Sequence, residues 1–243
     1  VYFPKFFHPD PTVKRQSGFL IPKLAESNSL GAAVEVPYFK VISDNKDLTF
    51  KPRLYSDGSA VLQSEYREER KNSSHILDFS LFSKLNLNAF TDDDKKNHFF
   101  SNSVINYDSK NFDNSKIEVN IETTSNPTYL KTYKIESPLI KDETLLNSFV
   151  NLEMDNEDTY IKTFFESYED LSKDKNEKYE FIYPNVEYEK QIGLSSNYNG
   201  SLTFDLNGYQ KEYGVDSSES VLINNLQYES FDYFLNSGLK NKF

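Results

Sequence analysis

His8, His75 and His98 are the side chains best suited to metal ligation or proton transfer, and their placement favours neither. Each sits in a separate segment without an i, i+4 partner, and the chain has no cysteine to complete a zinc set. They read as turn or surface residues. The run Asp92-Asp93-Asp94-Lys95-Lys96 lacks the alternating ligand positions and turn glycine of a calcium loop, and reads as a solvated loop tip. Asp44-Asn45-Lys46-Asp47 fails the same test. With 38 acidic residues, chance carboxylate pairs are guaranteed, and no pair stands out for glycosidic chemistry. Nucleophile-elbow, P-loop and dinucleotide glycine patterns are absent. The side chains therefore point away from an enzyme, and neither a metal site nor a cofactor is expected.

The chemistry that remains is in the backbone. Pro37 and Pro52 fall inside two consecutive strand-like runs, VEVPYF and LTFKPRLY. Proline has no amide hydrogen, so a ladder that contains it loses a donor, and in sheets it is confined to edges, strand starts and bulges. Two such residues in successive strands mark a place where pairing is weak. The bland reading is that both merely occupy edge or bulge positions.

The elements that must carry these prolines are strands. Candidate runs cover 33–42, 47–56, 59–70, 74–83, 96–107, 115–124, 144–154, 158–169, 179–190, 200–211, 218–229 and 231–240, separated by polar clusters such as Asp57-Gly58 and Ser172-Lys173-Asp174-Lys175. Short strands joined by such turns make a meander, not a βαβ fold. Alternation is clearest where Ile117, Val119 and Ile121 oppose Glu118, Asn120 and Glu122. It recurs where Leu202, Phe204 and Leu206 oppose Thr203, Asp205 and Asn207. Helix should be minimal, since the one candidate, 166–178, lacks a continuous apolar stripe.

A net charge of −11 argues against a nucleic-acid partner, which needs Lys and Arg to neutralise phosphates. Without cysteine there are no internal disulfides. No run of about 18 apolar residues predicts a membrane helix, but a membrane β-strand needs only about 9–11 residues with one apolar face. Seventeen Tyr and twenty Phe suit the aromatic girdles of a barrel and equally a sandwich core. Patterning thus leaves open whether the polar faces meet bulk water or a wet lumen.

An ordered set of features resembles the LPS-assembly protein LptD family, also called the OstA family, whose members form the outer-membrane lipopolysaccharide translocon. The set comprises Tyr2-Phe3-Pro4, then Lys14-Arg15-Gln16-Ser17-Gly18-Phe19-Leu20-Ile21-Pro22, Pro37, Pro52, Gly58 and Glu65-Tyr66-Arg67. Weaker similarities follow at Thr124–Tyr133 and at Phe181-Ile182-Tyr183-Pro184. The resemblance implies an all-β, antiparallel up-and-down meander forming part of a large transmembrane β-barrel in the cell outer membrane. With about twelve strands against the larger count of that barrel class, the wall should be incomplete and open at two edges. Val1-Tyr2-Phe3 reads as the middle of a strand, so the chain is taken as a fragment.

The resemblance further divides the chain into residues 1–31, the end of a periplasmic jelly roll and an irregular junction over 8–31, and residues 32–243, the first part of the barrel. Lys14, Arg15, Gly18, Phe19 and Pro22 would form the junction, Gly18 allowing a tight bend and Lys14-Arg15 meeting lipid phosphate or serving as an ordinary charged linker. Pro37 and Pro52 would weaken the seam between first and last strands into a lateral gate. The implied partners are lipopolysaccharide, outer-membrane lipids, an LptE-like lipoprotein plug and an LptA-like periplasmic bridge reached through the jelly roll. Two other classes stay open on the residues alone: a soluble all-β glycan-binding module, and a different outer-membrane channel or receptor barrel.

Overall fold

The computed structural model describes residues 15–27, 30–84, 96–174, 177–194, 200–214 and 217–230, with the backbone of 233–234 and 240–241. Alternating sequence becomes strand almost throughout. After two short strands, β1 (Gly18–Phe19) and β2 (Lys23–Ser27), come β3 (Gly31–Glu35), β4 (Tyr38–Ser43), β5 (Lys46–Tyr55), β6 (Ser59–Arg70) and β7 (Ser73–Lys84). Then follow β8 (Lys96–Asn106), β9 (Asn114–Thr124), β10 (Leu145–Asp155), β11 (Thr159–Asp170), β12 (Tyr179–Ile192), β13 (Gly200–Tyr213) and β14 (Ser217–Ser230). From β4 to β14 each strand pairs antiparallel with the next, giving one 14-stranded sheet with no closing pair among the described residues. The backbone at Tyr233–Phe234 pairs separately with Lys240–Asn241.

Local chemistry sets the turns. At Asp57-Gly58, Gly58 adopts φ 83°, and Asp57 Oδ1 accepts from the Ser59 amide at 2.9 Å and the Ser59 hydroxyl at 2.6 Å. Asp170 makes the same local bonds to Ser172 at the end of β11. Pro184 sits in β12 where the register shifts against both neighbouring strands, which is the bulge position that tolerates a missing donor.

The period of two divides the sheet into two unlike faces. On one, cross-strand pairs such as Leu62 with Leu81, Phe79 with Phe99, Val119 with Val150 and Phe204 with Leu226 form apolar rows. These rows are open: Phe79 is 47% exposed and Leu226 65%. So wide an uncovered apolar face is what a sheet in contact with lipid presents, and a water-facing monomer does not. No second sheet stacks on it among the described residues, which removes the sandwich architecture.

The other face is polar at its strand positions but carries the buried core. The β9–β10 connection, 125–144, folds onto it through the one-turn helix α1 (Tyr129–Thr132). Tyr129, Leu130, Tyr133 and Ile135 pack there against Val61, Phe82, Phe100 and Leu146, all nearly inaccessible. The only helix among the described residues is therefore in the segment 124–133, while 166–170 of the sequence candidate 166–178 belongs to β11.

Two further sequence expectations are corrected. Residues 18–27 are not irregular: β1 pairs with β4 and β2 with β3, covering the outer edge of the Pro37 strand. The run 33–42 is not one strand but two, interrupted at Val36-Pro37. Among the described residues no helix is long and apolar enough to cross a membrane, which says nothing of a β-barrel.

Candidate functional site at the proline-bearing strands

Both β3 and β4 pair with β5, and the gap between them falls opposite Pro52. Glu35 aligns with Arg53 and Tyr38 with Phe50, which sets Val36 against Pro52 and Pro37 against Lys51. The Val36 amide donates to the Pro52 carbonyl at 3.2 Å, but Pro52 has no hydrogen to return to Val36. On the opposite edge the Leu20 amide donates to the Pro37 carbonyl at 2.8 Å, and again the proline returns nothing. Each proline thus deletes one ladder bond, on opposite sides of the Val36-Pro37 break between β3 and β4.

A third proline lies in line with them. The pairing of Phe19 with Tyr38 and of Lys23 with Glu35 differs in register by one residue, so an extra residue is accommodated at Ile21-Pro22 opposite Val36. Pro22, Val36-Pro37 and Pro52 therefore occupy one level across three adjacent segments. A ladder bond is worth roughly 0.5–1.5 kcal/mol net, so losing two at one level makes a local line of weakness.

Around this line the polar face is densely paired. Arg53 donates from Nε and Nη2 to Glu35 Oε2 at 2.9 and 2.6 Å, and from Nη1 to the Tyr133 carbonyl at 2.6 Å. Lys51 Nζ donates to Glu65 Oε2 at 2.8 Å, and Arg67 Nε to Glu65 Oε1 at 2.5 Å. A cavity of about 390 Å³ opens here between an apolar lip of Leu20, Ile21 and Pro37 and a charged floor that includes Lys23, Lys51 and Arg53. Each of those three cations already holds a carboxylate of the same chain.

Deeper on the same face, Asp78, His98 and Ser80 form a chain that has the composition of a hydrolytic triad. Ser80 Oγ lies 2.6 Å from His98 Nδ1, and His98 Nε2 lies 3.3 Å from Asp78 Oδ1. Ser80 Oγ is also bonded to the Tyr129 hydroxyl at 2.6 Å, and Gln63 Nε2 donates to both Asp78 oxygens at 3.0 Å. Asp78 and His98 side chains are fully enclosed and Ser80 is 2% exposed, so no substrate reaches the hydroxyl. The network is structural: it satisfies polar groups that α1 covers. Burial of the α1 residue Tyr129 against the sheet pushes its hydroxyl pKa above its ordinary value. His98, expected at a turn or surface, is instead a core residue of β8. His75 Nδ1 lies 3.0 Å from Ser103 Oγ, and His8 and Asp92–Asp94 lie outside the described residues.

The junction residues are only partly gathered at this site. Arg15 forms an ion pair with Asp47 and stands 5.5 Å from the Phe39 ring, so it is tied to the sheet and not free for a phosphate. Gly18 pairs with Phe39 in extended backbone with open space where a Cβ would sit, so no tight bend requires it. Phe19 meets Tyr38 edge-on at 5.1 Å and remains 75% exposed, and Pro22 is exposed at the register shift. Lys14 lies outside the described residues. Glu35, Arg53, Gln63 and Asp78, which position the insert against the proline strands, were not singled out from sequence. Their signal was charge or amide at inward positions of otherwise ordinary strands.

Comparison with known proteins agrees with this geometry. The family model described as LptD protein matches residues 1–189. A protein named LPS-assembly protein LptD from Ralstonia nicotianae is 46% identical over 64 residues, 26% of this chain and 8% of its own length. Its counterpart from Acinetobacter baylyi is 25% identical over 158 residues, 58% of this chain and 19% of the relative. That from Pseudomonas syringae pv. syringae is 26% identical over 151 residues, 60% and 16% respectively. The chain thus spans no more than about a fifth of these curated relatives. With one open sheet and a family match over most of its length, the chain belongs to the LptD protein family.

Proposed function

We propose that this chain is part of the wall of an outer-membrane β-barrel that assembles lipopolysaccharide at the cell surface, and that Pro37 and Pro52 make its first strands a lateral gate. The carrying observation is the pair of unreturned bonds at Val36–Pro52 and Leu20–Pro37, on either side of the break between β3 and β4. A closed barrel gives an amphiphile no sideways exit, because every strand is paired with its neighbours. Taking one ladder bond, roughly 0.5–1.5 kcal/mol, from each of the two pairings that flank Val36-Pro37 lowers the cost of parting the sheet there. The uncovered apolar face, with Leu222 66% and Phe165 49% exposed, supports contact with lipid.

On this reading residues 32–243 begin the wall, and residues 1–31 lead into it from a periplasmic jelly roll, with 18–27 lying along the first strand. The partners follow the family: lipopolysaccharide as the amphiphile moved, bilayer lipids around the apolar face, an LptE-like lipoprotein as plug, and an LptA-like bridge upstream. The role is transport and assembly without catalysis. Replacing both Pro37 and Pro52 with Ala in the full-length protein should slow the appearance of lipopolysaccharide at the surface; an unchanged rate refutes the gate.

A further inference from the structure

The β9–β10 connection grips both sides of the proline-broken strand. Toward the edge, Lys23 Nζ of β2 donates to Glu136 Oε2 at 2.8 Å, and Lys134 Nζ donates to the Glu26 carbonyl at 3.2 Å. Toward the interior of the sheet, Arg53 Nη1 of β5 donates to the carbonyls of Tyr133 and Lys134 at 2.6 and 3.4 Å, and Gln63 Nε2 of β6 to the Glu136 carbonyl at 2.9 Å. Leu30 and Ala33, at the turn end of the edge hairpin, are buried in the same cluster as Tyr133 and Ile135, with Ala25 packed against it. Lys134 adopts φ 48°, a left-handed conformation disfavoured for an L-residue, and this turn points two successive carbonyls at one guanidinium.

The edge segment has little else to hold it. Its ladder consists of the two residues of β1 and the five of β2, broken by the register shift at Ile21-Pro22 and by the missing donor of Pro37. Phe19, Ile21 and Leu24 are 75%, 86% and 83% exposed, so its apolar side chains add almost no burial. The cations of the adjoining cavity are already paired, so this cavity serves as a clamp and not as an open anion site.

We propose that residues 133–136 are a strap that fastens the edge segment 18–27 to β5 and β6 across the proline-broken strand, so that the outer edge of β3–β4 is uncovered only when Lys23 and Glu26 release the strap. This goes beyond the seam reading and does not require it, since it concerns what holds the covering segment in place.

Hydrogen–deuterium exchange on the full-length protein in detergent micelles tests it, comparing peptides over 18–27 with peptides over 160–168. Glu136→Lys and Lys23→Glu should each speed exchange over 18–27 by about two- to five-fold, the range expected for losing an exposed ion pair, and leave 160–168 unchanged. Combining the two substitutions should restore the slow rate. Unchanged exchange in the single variants, no restoration in the combined one, or an equal acceleration at 160–168 would each overturn the strap. If either charge reversal yields no folded protein, Glu136→Gln and Lys134→Met carry the same comparison, with faster exchange confined to 18–27 supporting it and no change overturning it.

Discussion

Val36 and Pro52 are joined by a single hydrogen bond of 3.2 Å where two adjacent antiparallel residues would ordinarily share two. Substituting Pro52 by Ala supplies the second donor without changing the register. The gain is roughly 0.5–1.5 kcal/mol, offset in global stability by about 0.4–1 kcal/mol for the added freedom of the unfolded chain. Global melting should therefore move little, while amide exchange at Val36 should slow several-fold. Faster or unchanged exchange at Val36 would show that the missing donor does not limit this pairing.

Tyr129 separates the packing role of α1 from its hydrogen bond. Tyr129→Phe removes only the bond to Ser80 Oγ and should cost roughly 0.5–1.5 kcal/mol. Tyr129→Ala also empties the fully buried ring site and should cost roughly 3–5 kcal/mol. Trypsin reports the difference directly, because Lys131 and Lys134 lie in this connection. Cleavage there should be far faster in the Ala variant than in the Phe variant, and equal rates would mean that the ring does not anchor the segment.

Much of this architecture was legible in the sequence. The alternation at Ile117, Val119 and Ile121 and the Asp57-Gly58 turn produced strand positions close to those found. Residues 18–27 were not legible, because Pro22 and the surrounding polar residues mask strands whose pairing is dictated by the opposite edge of β3–β4. Helix α1 has four residues, too few for any periodicity to register. His98 shows the same limit in another form: its partners Ser80 and Asp78 lie on the neighbouring strand, and its cover, Tyr129, lies on the insert. Such a site exists only once the strands are in register.

The triad-like chain should prove structural. His98→Leu leaves Asp78 with Gln63 and Ser137 as side-chain donors, and should lower stability to urea by about 1–3 kcal/mol. Ser80→Ala should have a smaller effect of about 0.5–1.5 kcal/mol. Labelling with an active-site serine reagent should give no adduct at Ser80 in the folded protein. An adduct there would contradict the burial.

Acid should loosen the edge segment before the sheet. The hydrogen bond from Lys23 holds the Glu136 carboxyl below its ordinary pKa of 4.5, so folding favours the ionised form. That stabilisation is complete above pH 4.5 and is lost as the pH falls through the lowered folded value. Protection of amides 18–27 should be flat from neutrality down to that range and drop below it. In Glu136→Gln the drop should be absent; a drop of equal size would assign the acid response to another group.

The central claim is that lipopolysaccharide leaves where the two prolines weaken the pairing of the first strands. Photo-crosslinking in cells carrying the full-length protein tests this most directly, with probes at Val36 and Leu54 beside the prolines and at Leu222 on the distant strand β14. Lipopolysaccharide adducts should form at Val36 and Leu54, be weak at Leu222, and fall when Pro37 and Pro52 are both replaced by Ala. Adducts equally strong at Leu222, or undiminished by the double substitution, would contradict it.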